Sequence, residues 1–140
     1  MDVTIEQIAA RAGVDIVSGS PEWQLRVRAC SLEFHIVVPD GIYEWFVSAI
    51  DPESGQEVWS DWDEWYSVDG WPPESELPAR RLRDVEYFIS RILSATDLRI
   101  RTAGVFSLFG RPFMKVRNLE ARIGGRWEAV APGDLPEQGS

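Results

Sequence analysis

The chain holds one histidine, His35, and one cysteine, Cys30, so nucleophilic chemistry has to be built on that pair or on His35 with a nearby serine. The alternation of Leu32, Phe34, Ile36 and Val38 predicts a strand around His35. On a continuous strand, residues five apart point to opposite faces, which separates Cys30 from His35. Ser31, Glu33 and His35 share a face, yet Ser31 and His35 stand about 13 Å apart at the strand rise, beyond hydrogen-bond reach. Glu33 is placed to pair with His35, orient the ring and raise its basicity. No residue is assigned a catalytic role on these spacings.

Carboxylates are the other chemistry-bearing group. Between Asp40 and Ala79 there are eleven of them and no lysine or arginine, interleaved with Trp45, Trp59, Trp62, Trp65 and Trp71, five of the seven tryptophans. Asp61-Trp62-Asp63 places two oxygen donors at alternating positions. A calcium loop of the EF-hand type fails there, because its glycine position is Tyr66 and its closing glutamate position is Pro72. A single histidine and a single cysteine leave transition metals short of ligands. A loose magnesium or calcium site at Asp61, Asp63, Glu64 and Asp69 is one alternative, and a carboxylate-pair hydrolase acting on sugars that stack on indole is another. No metal ligand or cofactor is assigned.

Acids studded with indoles suit docking on a basic protein better than small-molecule chemistry. Trp59, Trp62 and Trp65 are spaced by three, so no single strand face buries all of them and at least one ring is expected in solvent. Trp59, Asp61, Trp62, Asp63, Glu64 and Trp65 are therefore the expected partner-binding residues, aromatic anchors giving affinity and charges giving steering. From Arg80 to Arg126 the balance reverses, with eleven basic residues against Asp84, Glu86, Asp97 and Glu120, so the net charge of −9 averages two unlike halves. The expected function is a non-enzymatic protein-binding module, in one concrete form an immunity-type inhibitor that meets a toxin by imitating nucleic acid charge. A regulator acting through an N-terminal helix is a further alternative.

The elements that position these residues follow from periodicity. Thr4 and Gln7 have capping-box spacing ahead of Ile5, Ile8 and Ala9, which predicts a short N-terminal helix stopped by Gly13. The string TIEQIAARAGVD resembles the first helix and turn of the lactose-repressor family of helix-turn-helix regulators, and that resemblance implies DNA binding. It covers about a dozen residues. The chain then runs IVSGSPEWQ, with Gly19 and Pro21 where a recognition helix would enter the major groove. With the acidic block repelling phosphate, nucleic acid is not expected as a partner.

After Pro21 the period becomes two. Trp23 to Ala29, Leu32 to Val38, Ile42 to Ile50 and Gln56 to Asp61 read as strands of an antiparallel meander, with turns at Pro39-Asp40-Gly41 and Asp51 to Gly55. Leu82, Val85, Phe88, Ile89, Ile92 and Leu93 form one stripe of a principal helix from about Pro78 to Leu93. Leu98 and Ile100, Val105 to Phe109, Phe113 to Val116 and a hairpin around Gly124-Gly125 complete the strands. The expectation is an α+β domain over residues 1–130, an antiparallel sheet of roughly six to eight strands on one helix, followed by a flexible tail over 131–140. Apolar runs as short as Ile36 to Val38 and a start, MDVTIEQIAA, without basic or apolar leader features predict a cytoplasmic protein that does not insert in a membrane. A lone cysteine agrees with a reducing compartment.

Overall fold

The structure is a computed structural model that describes residues 3–41, 43–108 and 111–136, leaving the side chains of 103–115 outside the description. Helix α1 (Ile5–Ala9) begins on a reciprocal cap. The Gln7 N–H donates to Thr4 Oγ1 at 3.2 Å and the Thr4 N–H donates to Gln7 Oε1 at 2.9 Å, so two otherwise orphaned donors are satisfied. The β-branched residues that follow form strand β1 (Val14–Ser18) and not a second helix. Strands β2 (Glu22–Ala29), β3 (Leu32–Pro39), β4 (Glu44–Ile50) and β5 (Glu57–Glu64) complete an antiparallel meander in the order β1-β2-β3-β4-β5. Ile42, expected to open the strand that ends at Ile50, lies outside the described residues.

A 3-10 turn at Glu74–Glu76 leads into helix α2 (Leu77–Ser94). Pro78 costs nothing in the first turn, where its missing N–H has no intrahelical acceptor. Beyond α2, strands β6 (Asp97–Leu108), β7 (Arg111–Ile123) and β8 (Arg126–Ala129) form a second sheet in the order β6-β7-β8. The strands thus divide five and three between two sheets, where the sequence suggested one. The stretches read separately as Val105 to Phe109 and Phe113 to Val116 belong to the long β6–β7 ribbon, with Phe109 outside the described residues. Gly124 and Gly125, at φ of 60° and 79°, make the two-residue turn between β7 and β8.

Alternation decides what enters the core. Leu25, Val27, Phe34, Ile36, Val38, Trp45, Val47 and Ala49 point from the first sheet toward α2 and are buried. Phe88 of α2 lies at the centre of an aromatic cluster. It meets Phe34 edge-on at 6.0 Å, Trp45 edge-on at 5.6 Å and Trp59 in a stacked arrangement at 6.3 Å between centroids. Leu98, Leu119 and Ala121 of the second sheet, with Val130 just beyond it, join the same apolar cluster, so α2 is shared by both sheets. Ala131 to Pro136 run back over the helix, where the Gly133 N–H donates to Asp84 at 2.8 Å and Asp134 accepts from Arg91 at 3.1 Å. Residues 137–140 of the expected tail lie outside the described residues. Among the described residues, no helix is long and apolar enough to cross a membrane.

Candidate functional site

Strand β5 carries most of the expected partner-binding residues, and its register with β4 fixes their sides. Trp45 pairs with Asp63, Val47 with Asp61 and Ala49 with Trp59, while Glu44 pairs with Glu64 and Phe46 with Trp62. Since Trp45, Val47 and Ala49 face the core, Trp59, Asp61 and Asp63 face it too, and Trp62 and Glu64 face outward. Trp59 is 5% exposed and stacks on Phe88; Trp62 is 57% exposed. Trp65 is half-buried, with its Nε1 buried close enough to Asp84 to favour that carboxylate's ionised form. The six residues therefore do not form one patch. The spacing of three that puts Trp59 and Trp62 on opposite sides was already visible in the sequence.

The outward half forms an exposed apolar and acidic surface. Phe46, 37% exposed, is the register partner of Trp62, and Glu44 is the register partner of Glu64 at the next outward position. Like charges so opposed repel, and neither is in an ion pair among the described residues. Beyond β5, an antiparallel bridge joins Val68 to Trp71 through a turn at Asp69 and Gly70, whose φ values are 53° and 78°. That turn leaves Tyr66, Val68 and Trp71 more than half exposed, with the Arg80 guanidinium over the Trp71 ring at 5.6 Å. Phe46, Tyr66, Val68 and Trp71 were not among the expected contact residues. For Phe46 the signal was its place on the polar side of β4's alternation.

The inward carboxylates are in a different environment. Asp84 of α2 is fully buried, and its Oδ2 accepts from Trp45 Nε1 at 2.9 Å and from the Gly133 N–H at 2.8 Å. Its Oδ1 is buried too. Asp63 packs against Gly133 so closely that a Cβ there would lie 2.9 Å from the carboxyl, which together with a φ of 87° explains glycine at that position. Burial first, then the Asp84 charge beside it, pushes the Asp63 carboxyl up to about 6. Burial also raises Asp84, but its indole and backbone donors favour the ionised form. Burial raises Asp61 as well, against the Trp62 N–H it accepts at 2.8 Å.

Among the described residues, the arginines of the C-terminal half leave most of the acidic block without ion pairs. Arg91 pairs with Glu128 at 2.8 Å and Asp134 at 3.1 Å, and Arg99 with Glu120 at 2.7 Å, all beyond that block. Among the described residues, only Glu76 of the block forms an ion pair, with Arg80 at 3.5 Å. Buried Arg81 donates to the backbone carbonyls of Pro39 at 2.6 Å and Glu44 at 3.4 Å. Asp61 and Asp63 point inward, Glu64 outward, and Asp69 sits in a turn. Among the described residues no three such side chains converge to hold a metal ion.

His35 is exposed and its Nε2 lies 3.0 Å from Glu33 Oε2, as their spacing suggested; that contact leads in holding the Glu33 carboxyl below its usual range. Cys30 occupies a turn at φ 53°, and burial followed by the charge of Asp97 raises its thiol. Raising a thiol works against a nucleophilic role. No family model, no curated protein and no solved structure matches this chain.

Proposed function

We propose that this chain is a non-enzymatic protein-binding module whose outward β4–β5 face docks on a basic surface of a partner protein. The observation that carries this reading is the exposed Trp62, set across from Phe46 and followed along the strands by the opposed Glu44 and Glu64, neither in an ion pair among the described residues. An indole and a phenyl ring in solvent supply the anchor of an interface, and a partner's lysine or arginine between the two glutamates relieves their repulsion. The remaining acids of the block steer approach without needing contact. An immunity-type inhibitor that occupies the nucleic-acid groove of a bacterial toxin is a concrete form of this function, supported by acidity and small size alone.

The test is affinity purification of the intact chain from cells that express it, with salt steps between about 50 and 300 mM. Wild type retains a basic protein that elutes as salt rises. Trp62→Ala loses it at all salt concentrations, and the double change Glu44→Gln with Glu64→Gln weakens retention and flattens its salt dependence. Equal retention by all three proteins would discard the reading.

A further inference from the structure

Among the described residues no strand pairs with the edge of β5 away from β4, and the hydrogen-bonding parity of that edge follows from its register. The Trp65 N–H donates to the Tyr43 carbonyl at 3.0 Å, continuing the β4–β5 register, so residues 63, 61 and 59 alternate with it in bonding toward β4. Ser60, Trp62 and Glu64 consequently direct their backbone groups outward. An independent contact agrees, since the Trp62 N–H is taken by the Asp61 side chain and not by β4. Along this edge Arg117 Nη1 donates to the Val58 carbonyl at 3.4 Å, and Ser60 makes no hydrogen bond outward among the described residues. A cleft of about 450 Å³ lies alongside, between Trp59 and Asp61 of β5, Arg117 and Leu119 of β7, and Val130 just after β8.

We infer that an extended, basic segment of the partner adds to β5 as a further antiparallel or parallel strand, lying over this cleft. This rests on the binding reading above and names the form of ligand that site takes. A strand added there places alternate side chains on two sides. One set covers Trp62 and meets Glu64 on the outer face. The other enters the cleft beside Asp61. Its backbone carbonyls replace the Asp61 carboxylate at the Trp62 N–H, which frees that carboxylate for a lysine or arginine. Charge selects the occupant: Glu57, Asp61, Asp63 and Glu64 on one eight-residue strand favour a cationic segment and repel the same edge of a second copy of this chain, whose net charge is −9.

Ser60→Pro isolates the edge from the face. Proline at this position removes an outward N–H and no bond to β4, a substitution edge strands accept. The probe is a fluorescent ten-residue peptide alternating lysine with valine, titrated into the full-length chain at low salt, beside the same peptide N-methylated at alternate residues. Both peptides carry the same charge. The unmodified peptide binds and shifts the Ser60 and Glu64 amide resonances, while N-methylation and Ser60→Pro each weaken binding about tenfold, as loss of one or two backbone hydrogen bonds predicts. Circular dichroism and urea unfolding confirm that Ser60→Pro is folded, and an unfolded variant leaves the decision to the N-methylated peptide. Equal binding of the two peptides, or no binding of either, overturns the inference. Binding abolished by Trp62→Ala but unaffected by N-methylation and Ser60→Pro overturns the edge and leaves the face reading standing. Self-association of the chain, seen as concentration-dependent mass, assigns the edge to a second copy and also overturns it.

Discussion

The two sides of β5 use the same residue types for opposite ends. Inward, Trp59 is stacked under Phe88, and Asp63 shares the environment of a buried Asp84 that holds an indole N–H and a backbone N–H. Outward, three residues on, Trp62 lies in solvent and Glu64 is the register partner of another glutamate. Asp63 and Asp84 on the inner side have neighbours from other elements, whereas among the described residues Glu44 and Glu64 on the outer side form no ion pair. Residues whose cost is met inside the fold belong to stability; residues whose cost is not met are the ones a partner can relieve.

The largest test of that contrast is a pair of truncations. Trp59→Ala costs about 3–5 kcal/mol in urea unfolding, because it empties a packed aromatic site, while Trp62→Ala changes stability by no more than about 0.5 kcal/mol. Similar costs for both would erase the distinction. Asp84→Ala follows, with about 2–4 kcal/mol lost as Trp45 Nε1 and the Gly133 N–H are left buried and unpaired. Asp63 gives a pH signature. Its carboxyl is raised to about 6 in the fold, so the stability it contributes is complete below its unfolded value near 4 and is lost as pH rises through about 6. The melting temperature of wild type therefore falls between about pH 4 and about pH 6 relative to Asp63→Asn, which removes this component of the pH dependence. The smallest effect belongs to the outer face: Glu64→Gln relieves its repulsion with Glu44 and stabilises by about 0.2–1 kcal/mol at low salt, fading as salt is added.

Much of the fold was legible because it rests on local signals. The Thr4–Gln7 cap, the alternation through β2 to β4, the apolar stripe of α2 and the Gly124-Gly125 turn each specify an element within a few residues. The division into two sheets was not legible, since strand periodicity records which side of a strand is buried but not which strand lies beside it. The site was half legible. Acid and indole composition drew attention to β5, yet Trp59, Asp61 and Asp63 were grouped with Trp62 and Glu64 although period-two alternation alone separates them. Phe46 was missed because it comes from another strand. Asp84 and Gly133, which give Asp63 its surroundings, lie 21 and 70 positions away in the chain.

By itself the sequence determined an acidic, tryptophan-rich segment, antiparallel strands and one long amphipathic helix, because charge and periodicity are properties of neighbours along the chain. Only the tertiary structure decided which acids are buried under α2 and the 131–136 segment, which are register partners on the outer face, and which edge of the meander no described strand pairs with. Those outcomes depend on what packs against β5, and its packing partners come from distant parts of the chain, where no local pattern records them.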